Sequence, residues 1–460
     1  MQSETKHSTA STSDESPSPC KRRYSNLEVL AIALPITFSN ATTPLVGYAD
    51  TVVIGQIGSE TLMGGVAIAS NIFSYIYWIF GFLRMGTTGL TAQAVGANDG
   101  TEVAANLWRA LLVAAICGLF LVCLQSVIGP FALWAMGASE GVQAAAGTYF
   151  TIRIWGAPAA LANFALVGWF IGIGRADIAF WLQLLLNAIN IALAVLLVSV
   201  YEFGVAGVGI AVLAAEVVAA SVGVIIALRN LSARGARANR NQVLNTLALF
   251  RTFAVNRDIL IRTACLLFAL AFFHSQGARA GDLTLASNAL LHSLAMICIY
   301  MLDGFAFAAE SLVGRAVGAR DRYGFRITAL RSTFWAASAA AILTTVMFLG
   351  GPFFIDFATT SPAVREMARV YLIWAALLPI VAVWCFQLDG IFIGATETAE
   401  MRNMMILSLI FYLVAALMLK ELLQNHGLWL SLYVLFLART VALGLRYPVI
   451  EKRIFAPIER

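Results

Sequence analysis

The sequence predicts an all-α polytopic membrane protein of about twelve transmembrane helices, arranged as two parallel six-helix bundles. Three observations predict it. Of 460 residues, 60% are hydrophobic and only 12% are charged, roughly half the charged share that a water-exposed surface requires. The apolar residues gather into runs of about twenty, the length that crosses a ~30 Å hydrocarbon core as a helix. Short motifs also recur at one constant offset along the chain.

The runs place helices at 28–54, 64–95, 106–128, 147–172, 176–200 and 204–228, and a second set at 258–274, 283–310, 327–350, 368–394, 401–423 and 427–447. The seventh is short and carries Arg262 and His274. These limits divide the chain into a polar tail 1–26, a lobe 27–228, a connection 229–257, a second lobe 258–447 and a tail 448–460. The Ser/Thr-rich first tail is expected to be disordered. It is not read as a signal peptide, because the apolar stretch after it, 27–57, is far longer than the hydrophobic region of a signal.

Charge placement supports the count. Arg229, Arg234, Arg237, Arg240, Arg251 and Arg257 crowd the sixth connection. Arg315, Arg320, Arg322 and Arg326 lie in the eighth, and Lys452, Arg453 and Arg460 in the tail. The alternate connections 56–63, 129–146 and 201–203 hold no Lys or Arg, and the later ones only Arg279, Arg365 and Lys420. Basic residues mark the cytoplasmic side, so twelve spans with both termini cytoplasmic are expected. The net charge of +5 thus reflects topology, and without a basic stripe interleaved with aromatics no nucleic-acid partner is expected. Six cysteines and four histidines are scattered without metal-ligand spacing, so neither a metal site nor a tightly bound cofactor is expected.

The repeat defines the organisation. Ala94-Val95-Gly96-Ala97-Asn98-Asp99 returns as Ala316-Val317-Gly318-Ala319-Arg320-Asp321, an offset of 222 residues. The same offset carries Tyr149 to Tyr371, and Gly168-Trp169-Phe170-Ile171-Gly172 to Gly390-Ile391-Phe392-Ile393-Gly394. An even number of helices per repeat gives both halves one orientation, with a pseudo-two-fold axis along the membrane normal.

An ionisable side chain at membrane depth costs ~2.5–3.5 kcal/mol or more and usually faces a cavity. Asp50 lies far along the first apolar run, with no basic residue between Arg23 and Arg84. It is either a proton-binding carboxylate or a carboxylate at a solvated helix end. Pro35 and Pro44 lie on the same helix, where each removes a backbone hydrogen bond. They mark points of bending or a static kink. Asn187 and Asn190 on the fifth helix either line a wet cavity or cross-link helices. Glu216, midway along the sixth, requires a cavity or a partner. Asp303, Glu310, Asp389 and Arg84 sit toward arginine-rich helix ends and are read as structural pairing, with a latch between the halves as the alternative. Stretches such as Gly86-Thr87-Thr88-Gly89 fit close helix packing. No Gly-Lys-Ser/Thr phosphate loop occurs, which argues against ATP as the driving force.

Gly47-Tyr48-Ala49-Asp50-Thr51, the repeated Ala-Val-Gly-Ala-X-Asp and Leu388-Asp389-Gly390-Ile391-Phe392-Ile393-Gly394-Ala395-Thr396 together resemble the MATE (multidrug and toxic compound extrusion) family. Leu302-Asp303-Gly304-Phe305-Ala306, Ala309-Glu310-Ser311-Leu312-Val313-Gly314 and Met401-Arg402-Asn403 point to its DinF-like branch. The resemblance covers about residues 27 to 450. It implies two six-helix lobes forming a V, and antiport of organic, amphipathic or cationic compounds against H⁺ or Na⁺. It implies a role for Asp50 in proton coupling and substrate binding, and for Asn187 and Asn190 in the cavity of the first lobe. Ala194 stands where related sequences often carry a second aspartate, which leaves coupling to Asp50, with Glu216 as a second candidate. A sodium site lacks an acid over 259–281, so H⁺ is the expected coupling ion. The expected partners are small organic substrates and the bilayer of a bacterial inner membrane, and the expected state is a monomer. A flippase for lipid-linked precursors would need a cationic cavity. A membrane-embedded transferase would need catalytic acids in large extramembrane loops, and the longest outside loop holds only Glu140. No enzymatic activity is expected.

Overall fold

The computed structural model describes residues 24–55, 59–137 and 139–456, apart from the side chains of 41–52. All but the last three residues of the predicted polar tail 1–26 therefore lie outside the described residues, as do 457–460. The first half comprises α1 (Asn26–Gly55), α2 (Glu60–Ile79), α3 (Phe82–Gly96), α4 (Gly100–Cys123), α5 (Gln125–Met136), α6 (Glu140–Arg153), α7 (Ala157–Gly172), α8 (Ala176–Val195) and α9 (Gly204–Ala233). The second half comprises α10 (Thr246–Arg279), α11 (Asp282–Gly318), α12 (Arg322–Ala358), α13 (Pro362–Gly394) and α14 (Thr398–Ile454).

Ten helical stretches from Glu60 onward are long and apolar enough to cross a membrane. The last of them, α14, is two helices meeting at Gln424, which has a φ of 52° and is not helical. Gly427 allows the tight junction, because a side chain there would overlap the Leu419 carbonyl. With the 30-residue α1, the described residues hold twelve spans, and none of these residues is in a strand.

Helix limits depart from expectation at breaks inside apolar runs and in the arginine-rich connection. The second predicted helix divides at Phe80–Gly81 into α2 and α3, and the third at Leu124 into α4 and α5. The fourth is α6, a 3₁₀ turn (Ile154–Gly156) and α7. The largest difference is in the connection 229–257. Helix α9 continues to Ala233, Asn239 and Gln242 form a capping box over a single turn at Arg240–Val243, and Asn245 caps α10 from Thr246. Arginines signalled a loop here. Arg251 and Arg257 instead sit on exposed helix positions, where Arg251 donates to Gln93 Oε1 (2.7 Å) and Arg257 to Asp258 Oδ1 (3.0 Å).

The offset of 222 residues is a property of the backbone as well as of the sequence. Asn98 and Arg320, Gly174 and Thr396, and Glu202 and Gln424 are pairs at that spacing, and all six have positive φ. Asp99 and Asp321 each cap the following helix through a side-chain oxygen. Gly168 and Gly172 press on the carbonyls of Arg84 and Thr88, and Gly390 and Gly394 press on those of Ala306 and Glu310. The repeated glycine motif therefore seats α7 on α3 and α13 on α11 in the same way, with small residues letting backbones approach.

The axis between the halves runs through the crossing of α3 and α11. A side chain at Gly96 would overlap the Arg315 carbonyl, and one at Gly318 the Gln93 carbonyl. Ala92 meets its own repeat-mate, Gly314, where an added Cβ would lie 2.7 Å from the Ala92 Cβ. Next to the axis, Gln93 Nε2 donates to Gly394 O (3.0 Å), and Ser311 Oγ to Ile171 O (2.7 Å). Farther along, Thr37 Oγ1 donates to Met301 O (2.9 Å) and Asn40 Nδ2 to Tyr300 O (3.0 Å), holding α1 against α11.

A second repeat-related pair clasps the chain. Arg109 on α4 is 2% exposed and donates to the carbonyls of Gln242 (2.6 Å) and Val243 (3.0 Å), just before α10. Glu102 holds the same guanidinium at 2.6 Å. Its repeat-mate, Arg331 on α12, donates to the carbonyl of Tyr24, just before α1. Each half thus holds the entry to the first helix of the other.

Candidate functional site

In the first half, polar side chains are buried on the adjacent helices α8 and α9. Helix α8 packs on α1 and α9 and carries Asn187 and Asn190, both buried. Gln183 Nε2, one turn earlier, donates to Asn187 Oδ1 at 3.0 Å. Glu216 on α9 is buried, with its Oε1 3.9 Å from Arg153 Nη2 at the end of α6. Asn163 on α7 donates to the Glu216 carbonyl at 3.0 Å. A Cβ at Gly156 would lie 2.5 Å from Glu216 Oε2, so the absence of a side chain there makes room for the carboxylate.

Arg153 is held by aromatics. Its guanidinium lies 4.6 Å from the Phe73 ring centre, and its Nη1 donates to Tyr149 Oη at 3.0 Å. Ser70 Oγ donates to the same phenol at 3.4 Å. A cation over an aromatic face, in a desolvated site, gains roughly 2 kcal/mol. The result is a largely buried, charge-balanced pair whose guanidinium is hydrogen-bonded to Tyr149 and stacked on Phe73.

In the second half, Asp389 on α13 receives hydrogen bonds from both Arg262 on α10 and Arg439 on α14 through the same oxygen, Oδ2. All three are buried. The Asp389 Oδ1, the Arg262 Nε and the Arg439 Nε and Nη1 atoms have no hydrogen-bond partner among the described residues. Asp303 on α11 lies within electrostatic reach of Arg84, Arg262 and Asp389. From there the array crosses to the first half. Arg84 on α3 stacks on Phe307 of α11 at 3.4 Å, and its Nη1 lies 3.8 Å from Glu310 Oε2.

Asn187, Asn190 and Glu216 are gathered in the first half, on adjacent helices. Of the two requirements for Glu216, a cavity or a partner, Arg153 supplies a partner. Pro35 is half-buried on α1, and α1 runs uninterrupted through both prolines. The side chains of Pro44 and Asp50 lie outside the described residues. Glu310 and Arg84 pair across the halves, the arrangement given as the latch alternative, whereas Asp389 pairs within the second half. Asp303 is 15 residues from the end of α11, at Gly318, and so sits nearer mid-helix than the arginine-rich end at which it was placed. Arg153 and Arg439 were not singled out from the sequence. The available signal was a lone arginine inside an apolar run.

A twelve-helix membrane protein of two parallel repeats, with charged groups buried in both halves, has the architecture of a secondary transporter. The chain belongs to the MATE family: the MatE family profile matches residues 35–196 and again 259–418, once in each repeat. It is 38% identical over 414 residues to DNA damage-inducible protein F of Escherichia coli (strain K12), covering 90% of each chain. It is 25% identical over 450 residues to the probable multidrug resistance protein NorM of Xylella fastidiosa (strain 9a5c), covering 93% of each. Its fold matches the crystal structure of a MATE protein in the bent conformation with a TM-score of 0.84 at 18% identity, over 94% of this chain and 96% of that one.

Proposed function

We propose that this protein is a secondary active antiporter that exports organic, amphipathic or cationic compounds in exchange for H⁺ across a bacterial inner membrane. The observation that carries the reading is the set of buried polar groups on neighbouring helices of the first half. Asn187 and Asn190 lie on α8, and Glu216, paired with Arg153 of α6, lies on α9; both α8 and α9 contact α1, the helix bearing Asp50. The names of its relatives, a multidrug resistance protein among them, support the substrate class.

In this reading Asp50 binds substrate in its charged form within a first-lobe cavity open to the outside. A proton entering from outside neutralises it, changes the balance that holds α1, and expels the substrate. Proton entry down ~100 mV supplies about 2.3 kcal/mol, and one pH unit adds about 1.4 kcal/mol. Together they sustain a gradient of roughly several hundredfold for a neutral substrate moved with one proton. Both termini and the connection after α9 face the cytoplasm, on the positive-inside argument. The end where α3 and α11 cross is then the closed, cytoplasmic end. No bound cofactor takes part, and the protein works as a monomer.

The test is uptake of a cationic dye into proteoliposomes. An acid interior should drive accumulation that a protonophore collapses. Accumulation driven equally by a Na⁺ gradient at uniform pH would contradict H⁺ coupling.

A further inference from the structure

We propose that the connection between the halves is a docking surface for anionic phospholipid of the cytoplasmic leaflet. Residues 217–257 contain six arginines and not one acid. Arg229, Arg234, Arg237 and Arg240 are exposed. Beside them, the first turns of α10 present Leu247, Phe250 and Phe253, which are 83%, 74% and 68% exposed. A spacing of three residues keeps these side chains on one helix face. The opposite face of the same turns, Thr252, Val255 and Asn256, is buried.

Helix α10 has 34 residues, about 51 Å at 1.5 Å per residue, against a hydrocarbon core of ~30 Å. Its first turns therefore extend to the level of the lipid headgroups. Three large apolar side chains in a row form an apolar strip there, and nothing else among the described residues covers it. A surface with acyl chains below and phosphates above matches both halves of the feature. The Leu/Phe ladder enters the acyl boundary and the arginines meet the phosphates. A free phosphate ion would satisfy the arginines and leave the ladder bare. The nearest acids are already engaged: Glu102 is held by Arg109, Asp258 by Arg257 and Arg402, and Asp99 caps α4.

The docked segment is the strap that joins the halves. It is anchored by Arg109 at Gln242 and Val243, and by Arg251 at Gln93 and Thr396. Lipid bound to it would set the position of α10 relative to the first half.

The inference rests on the cytoplasmic orientation of this connection. It is tested with the full-length protein carrying Phe250→p-benzoylphenylalanine, reconstituted in vesicles of phosphatidylethanolamine with or without phosphatidylglycerol. Light-induced adducts are read by mass spectrometry. Phosphatidylglycerol should be enriched in the adduct over its mole fraction by roughly fivefold, the factor expected from one arginine at an anionic surface. Arg234→Gln/Arg237→Gln/Arg240→Gln should return it to the mole fraction. Phe268→p-benzoylphenylalanine, on the exposed face farther along α10, should follow the mole fraction throughout. Adducts at position 250 without headgroup preference would overturn the proposal, as would a protein adduct there in native membranes. Orientation is read separately, by an impermeant thiol reagent on Asn239→Cys in inverted and right-side-out vesicles. Labelling confined to right-side-out vesicles would overturn the assignment to the cytoplasmic leaflet while leaving the lipid result standing.

Discussion

Arg84 and Glu310 face each other at 3.8 Å across the boundary between the two halves, with the guanidinium laid flat on Phe307. Glu310 is buried and the Arg84 side chain is only 13% exposed, on α11 and α3, the two helices that cross at the pseudo-two-fold axis. Separation of the halves at this end must break the pair and rehydrate both charges. Removing one partner from a buried pair typically costs about 3–5 kcal/mol, because the other is left uncompensated. Glu310→Gln should therefore lower thermal stability markedly. Arg84→Met with Glu310→Leu should lower it by less than the sum of the single changes, measured by unfolding in detergent. Additive losses would show that the pair is not coupled.

Gly156 predicts a sharper dissection of the first-half cluster. A methyl group there meets Glu216 Oε2 at 2.5 Å and must push the carboxylate away from Arg153. Overpacking of this kind costs about 1–3 kcal/mol. Gly156→Ala should reduce transport at least as much as Glu216→Gln does. Gly147→Ala, whose new Cβ would sit an ordinary 3.8 Å from Leu133, should leave transport near wild type. Equal activity of the two alanine variants would remove the carboxylate's position from the account.

Asp389 holds two arginines with one oxygen. Asp389→Asn leaves Arg262 and Arg439 buried with no counter-charge between them, so a loss of about 3–5 kcal/mol is expected. Adding Arg439→Met should restore much of that loss. If Asp389→Asn folds as stably as wild type, the array is not structural and its acids are free for other work.

Arg109 secures the strap before α10 through two carbonyls. Arg109→Ala should speed tryptic cleavage at Arg237 and Arg240 by an order of magnitude or more, since local opening then lacks its main restraint. Glu102→Gln keeps the carbonyl bonds and should change cleavage much less. Unchanged cleavage in Arg109→Ala would mean that the strap is held elsewhere.

The fold was legible because membrane insertion writes its demands locally. Each span is a continuous apolar run, and Gly168 and Gly172 with Gly390 and Gly394 mark the same close helix contacts in both halves. The first turns of α10 were missed because Arg251 and Arg257 resemble loop residues when read singly. Only their exposed positions on a capped helix make them compatible with it. The charged clusters were half legible. An acid inside an apolar run announces a need, as Glu216 did, but the residue that answers it lies far away. Arg153 is 63 positions from Glu216, and Arg262 and Arg439 are 127 and 50 positions from Asp389. Their pairing follows from how helices pack, which no local pattern encodes.

Proton antiport through Asp50 can be read directly in membrane vesicles. The most direct measurement follows a pH-sensitive dye in energised inverted vesicles as a cationic drug is added, comparing wild type with Asp50→Asn at equal expression, with and without Na⁺. Drug-triggered proton release is expected in wild type, indifferent to Na⁺ and lost in Asp50→Asn. A Na⁺-dependent response that survives in Asp50→Asn would contradict it and move coupling to the charged array around Asp303 and Asp389.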